Sequence, residues 1–271
     1  MTQTLAENRI VRVFESLKAD GKKALMPFVV GGHPTSSPLG SLLRAVDTAG
    51  ADIIEIGFPF SDPVADGPVI AEAMHNALLA GTTPESILNE VAECRAEIGA
   101  GLVAMISVSL IFKMGGPDAF AKRAKEAGID GCIFPDISLE DAGEYIEACS
   151  KQGLTASLLV APTTPIERAA KITAACSGFV YVLARAGITG TGSQAPDIQA
   201  RVQELRQVTD LPLAVGFGIS SAEHVRSVTE SADAAIVGSA LVAKINAALA
   251  DGNDPVEAAK GFVLTLKQGV R

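Results

Sequence analysis

Two acidic residues stand where their surroundings could set them to work on protons. Glu55 interrupts the apolar run "DIIEIG", and Asp66 follows in the loop "FPFSDPVADGP" that leaves it. Side chains alternate along a strand, so Glu55 shares a face with Ile53, while Ile54 and Ile56 share the other. On either face a carboxylate in a core strand loses water, which favours its neutral form and raises its pKa by up to about 3–5 units when burial is complete. Such a group exchanges protons near neutral pH. The strand alone equally allows a lining acid paired with a base or with backbone amides. Asp66 tips the balance. It stands eleven positions on, beyond Pro59 and Pro63 and just before Gly67-Pro68, in a loop stiffened by proline yet long enough to fold back over the strand end. Two carboxylates in different dielectric settings let one site run acid and base steps together. The bland alternatives are a turn residue in Asp-Gly-Pro for Asp66 and a turn or cap before Pro63 for Asp62. For Asp62 the turn reading is the stronger.

A second constellation is glycine at three strand exits: "RAGITGTG" from Arg185, "GFGIS" from Gly216 and "VGSAL" from Val237. Such loops expose backbone N–H groups, and with a helix N-terminus they hold phosphate. Ser220 and Ser239 are placed to cap helices and donate hydroxyls. Ordinary turn chemistry would explain any one of these loops, but three together favour a phosphorylated small molecule. Gly187, Gly190 and Gly192 read G-x-x-G-x-G, which is not the dinucleotide fingerprint, and no P-loop lysine follows a glycine turn. No nucleotide cofactor is expected. His33, in "GGHPT", reads as a surface turn residue, and His75 and His224 as outward-facing helix residues. Cys94, Cys132, Cys149 and Cys176 lack metal spacing and read as core fillers in a reducing compartment.

The elements that must position these residues are eight apolar runs, beginning at Ala24, Ala51, Gly101, Ile129, Leu154, Phe179, Leu211 and Asp233, separated by segments of helical period. That alternation predicts α/β architecture: one (β/α)8 TIM barrel spanning residues 1–271, with extra helices over residues 5–21 and 254–268 that cap or flank the ring. The strand approaches "AGADIIEIG", "AGIDGCIFPD" and "ESADAAIVGS" resemble one another, a structural repeat. No linker-like tract divides the 271 residues, and α/β barrels run to roughly 250 residues as one domain. Active residues then belong at the C-terminal ends of strands. A net charge of −9 with scattered Lys and Arg argues against nucleic acid or an anionic membrane, and no long apolar run suggests a span or leader, so a soluble cytoplasmic protein is expected.

In order and over nearly the whole chain, "ADIIEIGFPFSDPVADGP", "AGIDGCIFPD", "YVLARAGITG", "LPLAVGFGIS" and "ADAAIVGSALV" closely resemble the tryptophan synthase alpha subunit family. The resemblance implies a TIM barrel that cleaves indole-3-glycerol phosphate to indole and glyceraldehyde 3-phosphate by a retro-aldol reaction. It implies no cofactor on this chain. Pyridoxal phosphate belongs to a beta subunit that receives the indole, with an alpha2-beta2 heterotetramer as the expected assembly. It makes Glu55 and Asp66 the catalytic pair. Asp66, polar and ionised, would accept a hydrogen bond from the indole N–H; Glu55, buried, would protonate C3 and take the glycerol hydroxyl proton. Phe28 and Tyr181 would line the indole site, Gly190, Phe217, Gly218, Gly238 and Ser239 would hold phosphate, and Asp136 and Thr189 would lie in loops that close over substrate.

Three places depart from the family pattern. "GGHP" carries His33 where an acidic or tyrosine residue is common, and "GITGTGSQAPD" is a short version of a mobile loop. "ISVSLIFKMGG" replaces a Tyr-Asn-Pro element that faces the beta subunit. Residues 107–116 are expected as a loop that exposes Val108, Leu110, Ile111, Phe112 and Met114 to a partner, the bland alternative being that Ile111 and Phe112 tuck back onto the barrel rim.

Overall fold

The computed structural model describes residues 5–63, 66–184, 198–216 and 218–270. Among them, nine parallel strands form one sheet: β1 (Ala24–Val30), β2 (Ile53–Gly57), β3 (Gly101–Met105), β4 (Gly131–Ile133), β5 (Thr155–Ser157), β6 (Leu159–Val160), β7 (Val180–Leu183), β8 (Leu213–Gly216) and β9 (Ala234–Val237). Their order is β5-β4-β3-β2-β1-β9-β8-β7-β6. β5 and β6 are halves of a single apolar run broken at Leu158, one pairing with β4 and the other with β7. The nine strands therefore fill eight positions, and the ring closes through that run. Helices follow the strands as parallel crossovers require, which bears out the (β/α)8 barrel.

Alternation along each strand divides the core in two. Ala24, Met26, Ile53, Val103, Ile133, Phe179, Tyr181, Ala214, Ala234 and Ile236 face inward, and Leu25, Val29, Ile54, Ile56, Leu102 and Ala104 pack outward against helices. The helix Arg9–Ala19 closes the floor with Ile10 and Phe14, the latter 6.0 Å from Phe179 between ring centroids. Asn8 fixes it there: its side chain accepts from Ile10 N–H and donates to the Asp130 and Gly153 carbonyls at 2.7 and 2.8 Å. At the other terminus the helix Pro255–Lys267 starts at an Asp254 cap and buries Ala259, Val263 and Leu266. The flanking helices are thus where the sequence put them.

The repeated strand approach has a defined job. Asp52, Asp130 and Asp233 each precede a strand, and each exchanges two hydrogen bonds with one leucine across the ladder. The aspartate N–H donates to the carbonyl of Leu25, Leu102 or Leu213 at 2.8–3.0 Å. The leucine N–H donates back to the aspartate Oδ2 at 2.7–2.9 Å. A cation completes every clamp: Lys267 on Asp52, Arg95 on Asp130, and Arg206 with Lys23 on Asp233. The strand amides at the barrel's lower rim are thereby satisfied without a neighbouring helix.

One expectation fails here. Residues 107–116 do not form an irregular loop; Val108–Lys113 is a short helix, capped by Ser107, whose Oγ accepts from Ser109 N–H. Helical period sorts the five apolar side chains that a loop would have left together. Ile111 is wholly buried, Leu110 and Met114 pack on the core, and only Phe112, 79% exposed, stands out as a large side chain in water.

Candidate active site

Ile53 faces the barrel interior, so Glu55, two residues later on β2, does too, in register with Phe28 on β1 and Val103 on β3. It is 1% exposed, and its Oε2 has no hydrogen-bond partner among the described residues. Burial, helped by the nearby charge of Asp66, pushes its pKa up to about 8. A carboxylic acid that stays protonated at neutral pH with a free oxygen can deliver a proton. The paired, structural alternative left open by the strand sequence finds no partner for Oε2 among the described residues.

Asp66 returns to the same place. After β2, Phe58 N–H still bonds the Met105 carbonyl, then the chain turns so that Asp66 N–H meets the Pro63 carbonyl at 3.3 Å, and Gly67 with Pro68 starts the helix Pro68–Leu79. The sequence reading put Asp66 in a polar setting. The structure corrects this: Asp66 is half-buried, and burial pushes its pKa up to about 6. The two acids differ, about 8 against about 6, yet less than their sequence settings implied. Near pH 7 the arrangement is a protonated Glu55 beside an ionised Asp66.

Both acids line a cavity of about 380 Å³ at the C-terminal mouth of the barrel. Phe28 and Tyr181 form part of its wall, as expected, and two glycines make room for them. A Cβ on Gly57 would lie 2.4 Å from the Phe28 ring, and one on Gly216 would lie 2.5 Å from the Tyr181 hydroxyl. Burial, then Glu55 and Asp66, raise the Tyr181 pKa, so its hydroxyl stays protonated. The wall also includes Phe60, Ile70, Met74, Met105, Leu159 and Ile236. Sequence reading missed these, although Met105 and Ile236 share strand parity with the inward-facing Val103 and Ala234 and could have been found from it. Asp62, read as a turn residue, lies exposed on the cavity rim.

At the β8 and β9 side the cavity reaches Gly218, Gly238 and Ser239. Gly218 has φ +81°, and Gly238 caps the helix Ser239–Ala250, leaving that helix's first N–H groups toward the mouth. Two capping expectations are corrected. Ser239 is the first helical residue and not its cap, while Ser221, not Ser220, caps Ala222–Thr229 by accepting from His224 N–H. Asp136, after β4, also lines the cavity and accepts from Ser107 Oγ at 2.6 Å and Val108 N–H at 3.1 Å. Thr189, Gly190 and Phe217 lie outside the described residues. His33 is not a surface residue: it is 6% exposed, with Nε2 2.7 Å from Asn246 Oδ1, because the turn after β1 folds beneath the helix Ser239–Ala250. His224 is half-buried against Ser220, whereas His75 is exposed as expected.

Residues 14–271 match the family described as Tryptophan synthase alpha chain. The chain belongs to the tryptophan synthase alpha chain family. It is 41% identical over 237 residues to the tryptophan synthase alpha chain of Synechococcus sp. (strain CC9902), covering 87% of this chain and 88% of that one. With the alpha chain of Rippkaea orientalis the figures are 40% over 265 residues, 95% and 96%. Among solved structures, tryptophan synthase subunit alpha from Legionella pneumophila str. Paris superposes with a TM-score of 0.89 at 35% identity, covering 97% of this chain and 98% of that one. A chain of tryptophan synthase from M. tuberculosis, in its aminoacrylate-bound form, gives 0.84 at 32%, covering 97% and 100%. Tryptophan synthase alpha chains are lyases that cleave indole-3-glycerol phosphate, and this chain takes that activity and a beta-subunit partner from its family. None of the helices described is long and apolar enough to cross a membrane.

Proposed function

We propose that the cavity between Glu55, Asp66 and the Gly218/Gly238–Ser239 rim is where indole-3-glycerol phosphate is cleaved, residues 1–271 acting as one catalytic barrel. The observation that carries this reading is the pairing, across one apolar cavity, of a fully buried Glu55, whose Oε2 meets no partner among the described residues, with a half-buried Asp66 of lower pKa. The phosphate lies at the N–H groups that open the helix Ser239–Ala250, with Gly218 beside them and Gly190 and Phe217 completing the set. The indole lies against Phe28 and Tyr181. Glu55 gives its proton to C3, and Asp66 accepts a hydrogen bond from the ring N–H and balances the positive charge that spreads onto nitrogen. The Glu55 carboxylate so formed then takes the proton of the adjacent glycerol hydroxyl. The bond from C3 to that carbon breaks, its electrons restore the aromatic ring, and the carbon becomes the aldehyde of glyceraldehyde 3-phosphate. Glu55 ends protonated as it began.

Asp136 and Thr189 belong to the loops that shut water out. The chain needs no cofactor of its own and works in the cytoplasm, in an alpha2-beta2 assembly with a beta subunit carrying pyridoxal phosphate. Glu55→Gln and Asp66→Asn are expected to fold and to lose at least the roughly 10²–10⁴-fold that positioned acid–base groups supply, read as indole release from indole-3-glycerol phosphate. Near-parental release from either variant would overturn the assignment.

A further inference from the structure

We infer that His33 is a positioning residue that sets the phosphate-holding end of the site through Asn246, an inference that rests on the phosphate reading of Gly238 and Ser239. His33 follows β1 at a turn with little freedom: Gly32 has φ +75°, and a Cβ there would lie 2.1 Å from Thr82 Oγ1. The histidine side chain runs beneath the helix Ser239–Ala250, where Nε2–H donates to Asn246 Oδ1 at 2.7 Å. With the proton on Nε2, the Nδ1 lone pair is buried and no donor among the described residues meets it. A phenylalanine would fill the same space and bury no unpaired acceptor, so what histidine adds is the bond to Asn246.

That bond bears on the site through helix geometry. Asn246 comes seven residues after Ser239, close to two turns of 3.6, so both lie on one face of a rigid rod. Holding Asn246 from β1 fixes the rotation and height of the helix, and with them the direction of the N–H groups at Ser239. Phe28, on the same strand as the turn, comes within 3.5 Å of where a Gly238 Cβ would be. The strand that carries the indole wall therefore also gauges the phosphate end. Glu72, on Pro68–Leu79, is the charged group acting on His33 from the helix that follows Asp66.

The test is substrate and anion affinity in the full-length chain. His33→Phe keeps the ring and removes the donor. Its KM for indole-3-glycerol phosphate and its dissociation constant for glycerol phosphate are expected to rise together about three- to tenfold, the reach of one hydrogen bond, with kcat within about twofold. His33→Gln, which retains a donor, should recover most of the loss. Asn246→Leu should reproduce it, and adding His33→Phe to Asn246→Leu should add nothing. A lower melting temperature with unchanged KM and anion affinity in His33→Phe would overturn the inference. Should that variant fail to fold, unchanged affinities in Asn246→Leu would overturn it equally. If the parent protein itself binds no glycerol phosphate, the phosphate reading falls first and takes this inference with it.

Discussion

Asp136 holds Ser107. Its carboxylate accepts the serine hydroxyl at 2.6 Å and the next backbone N–H, that of Val108, at 3.1 Å, so the exit of β4 fastens the first turn of the helix after β3. The same aspartate lines the cavity. A helix presenting Phe112 to solvent is therefore tied to the site wall by two hydrogen bonds.

This arrangement separates two substitutions that the sequence treats alike. Phe112→Ser is expected to leave the melting temperature of the isolated chain within about 1 °C, since an exposed side chain contributes little to folding, and to weaken association with the beta subunit. Leu110→Ser should instead lower the melting temperature by several degrees, because Leu110 packs on the core. Titration calorimetry with the cognate beta subunit checks the first half. Unaltered binding of the Phe112 variant would remove this helix from the partner surface.

A pH profile follows from the two acids. The proposed mechanism needs Glu55 protonated and Asp66 ionised, so kcat/KM for the chain should fall below about pH 6 and above about pH 8, with the limits belonging to the pair as a unit. Because the Asp66 charge adds to the rise at Glu55, Asp66→Asn should move the Glu55 titration to lower pH. Carboxyl-carbon NMR of the labelled variant reads that shift directly. An unmoved Glu55 would show that the two groups do not interact.

The same burial that readies Glu55 weakens the fold in alkali. Its folded pKa lies above its unfolded value, so the native protein holds the proton more tightly than the unfolded chain. Stability must then fall as pH rises from about 4.5 to about 8 and stay level beyond. Glu55→Gln removes that dependence. The variant should melt above its parent at pH 8–9, and the gap should close toward pH 5. Melting curves that run parallel across this range would show Glu55 to be solvated after all.

Much of this could be read from the residues alone, and the misses have physical causes. Strand alternation put Glu55 and Ile53 on one face, and only the ring decided which face was interior. Proline spacing brought Asp66 back to the strand end, but its half-burial belongs to a cavity whose wall includes Tyr181, from a strand more than a hundred residues away. Residues 107–116 misled because six residues are too few for a helical period to stand out, and the cap that starts the helix is reinforced by Asp136, 29 positions away from Ser107. His33 misled because a histidine before proline says nothing of a helix 213 residues later.

The break at Leu158 has a consequence for how the barrel opens. There the strand amide donates to Cys176 Sγ at 3.2 Å, a weak acceptor borrowed from just beyond the helix Ile166–Ala175, and β6 keeps only two residues in register with β7. At the lower rim the Asp52, Asp130 and Asp233 clamps tie β1 to β2, β3 to β4 and β8 to β9, and Ser177 repeats the device across this seam, its N–H donating to the Ala156 carbonyl at 2.8 Å and its Oγ accepting from Ala156 N–H at 2.9 Å. The molecule is then a horseshoe whose latch is fastened below, at β5, and loose above, at β6. Thermal breathing should part the wall at the upper half of this seam, on the side away from Glu55, and the strand that bears the acid would be among the last to lose its neighbours.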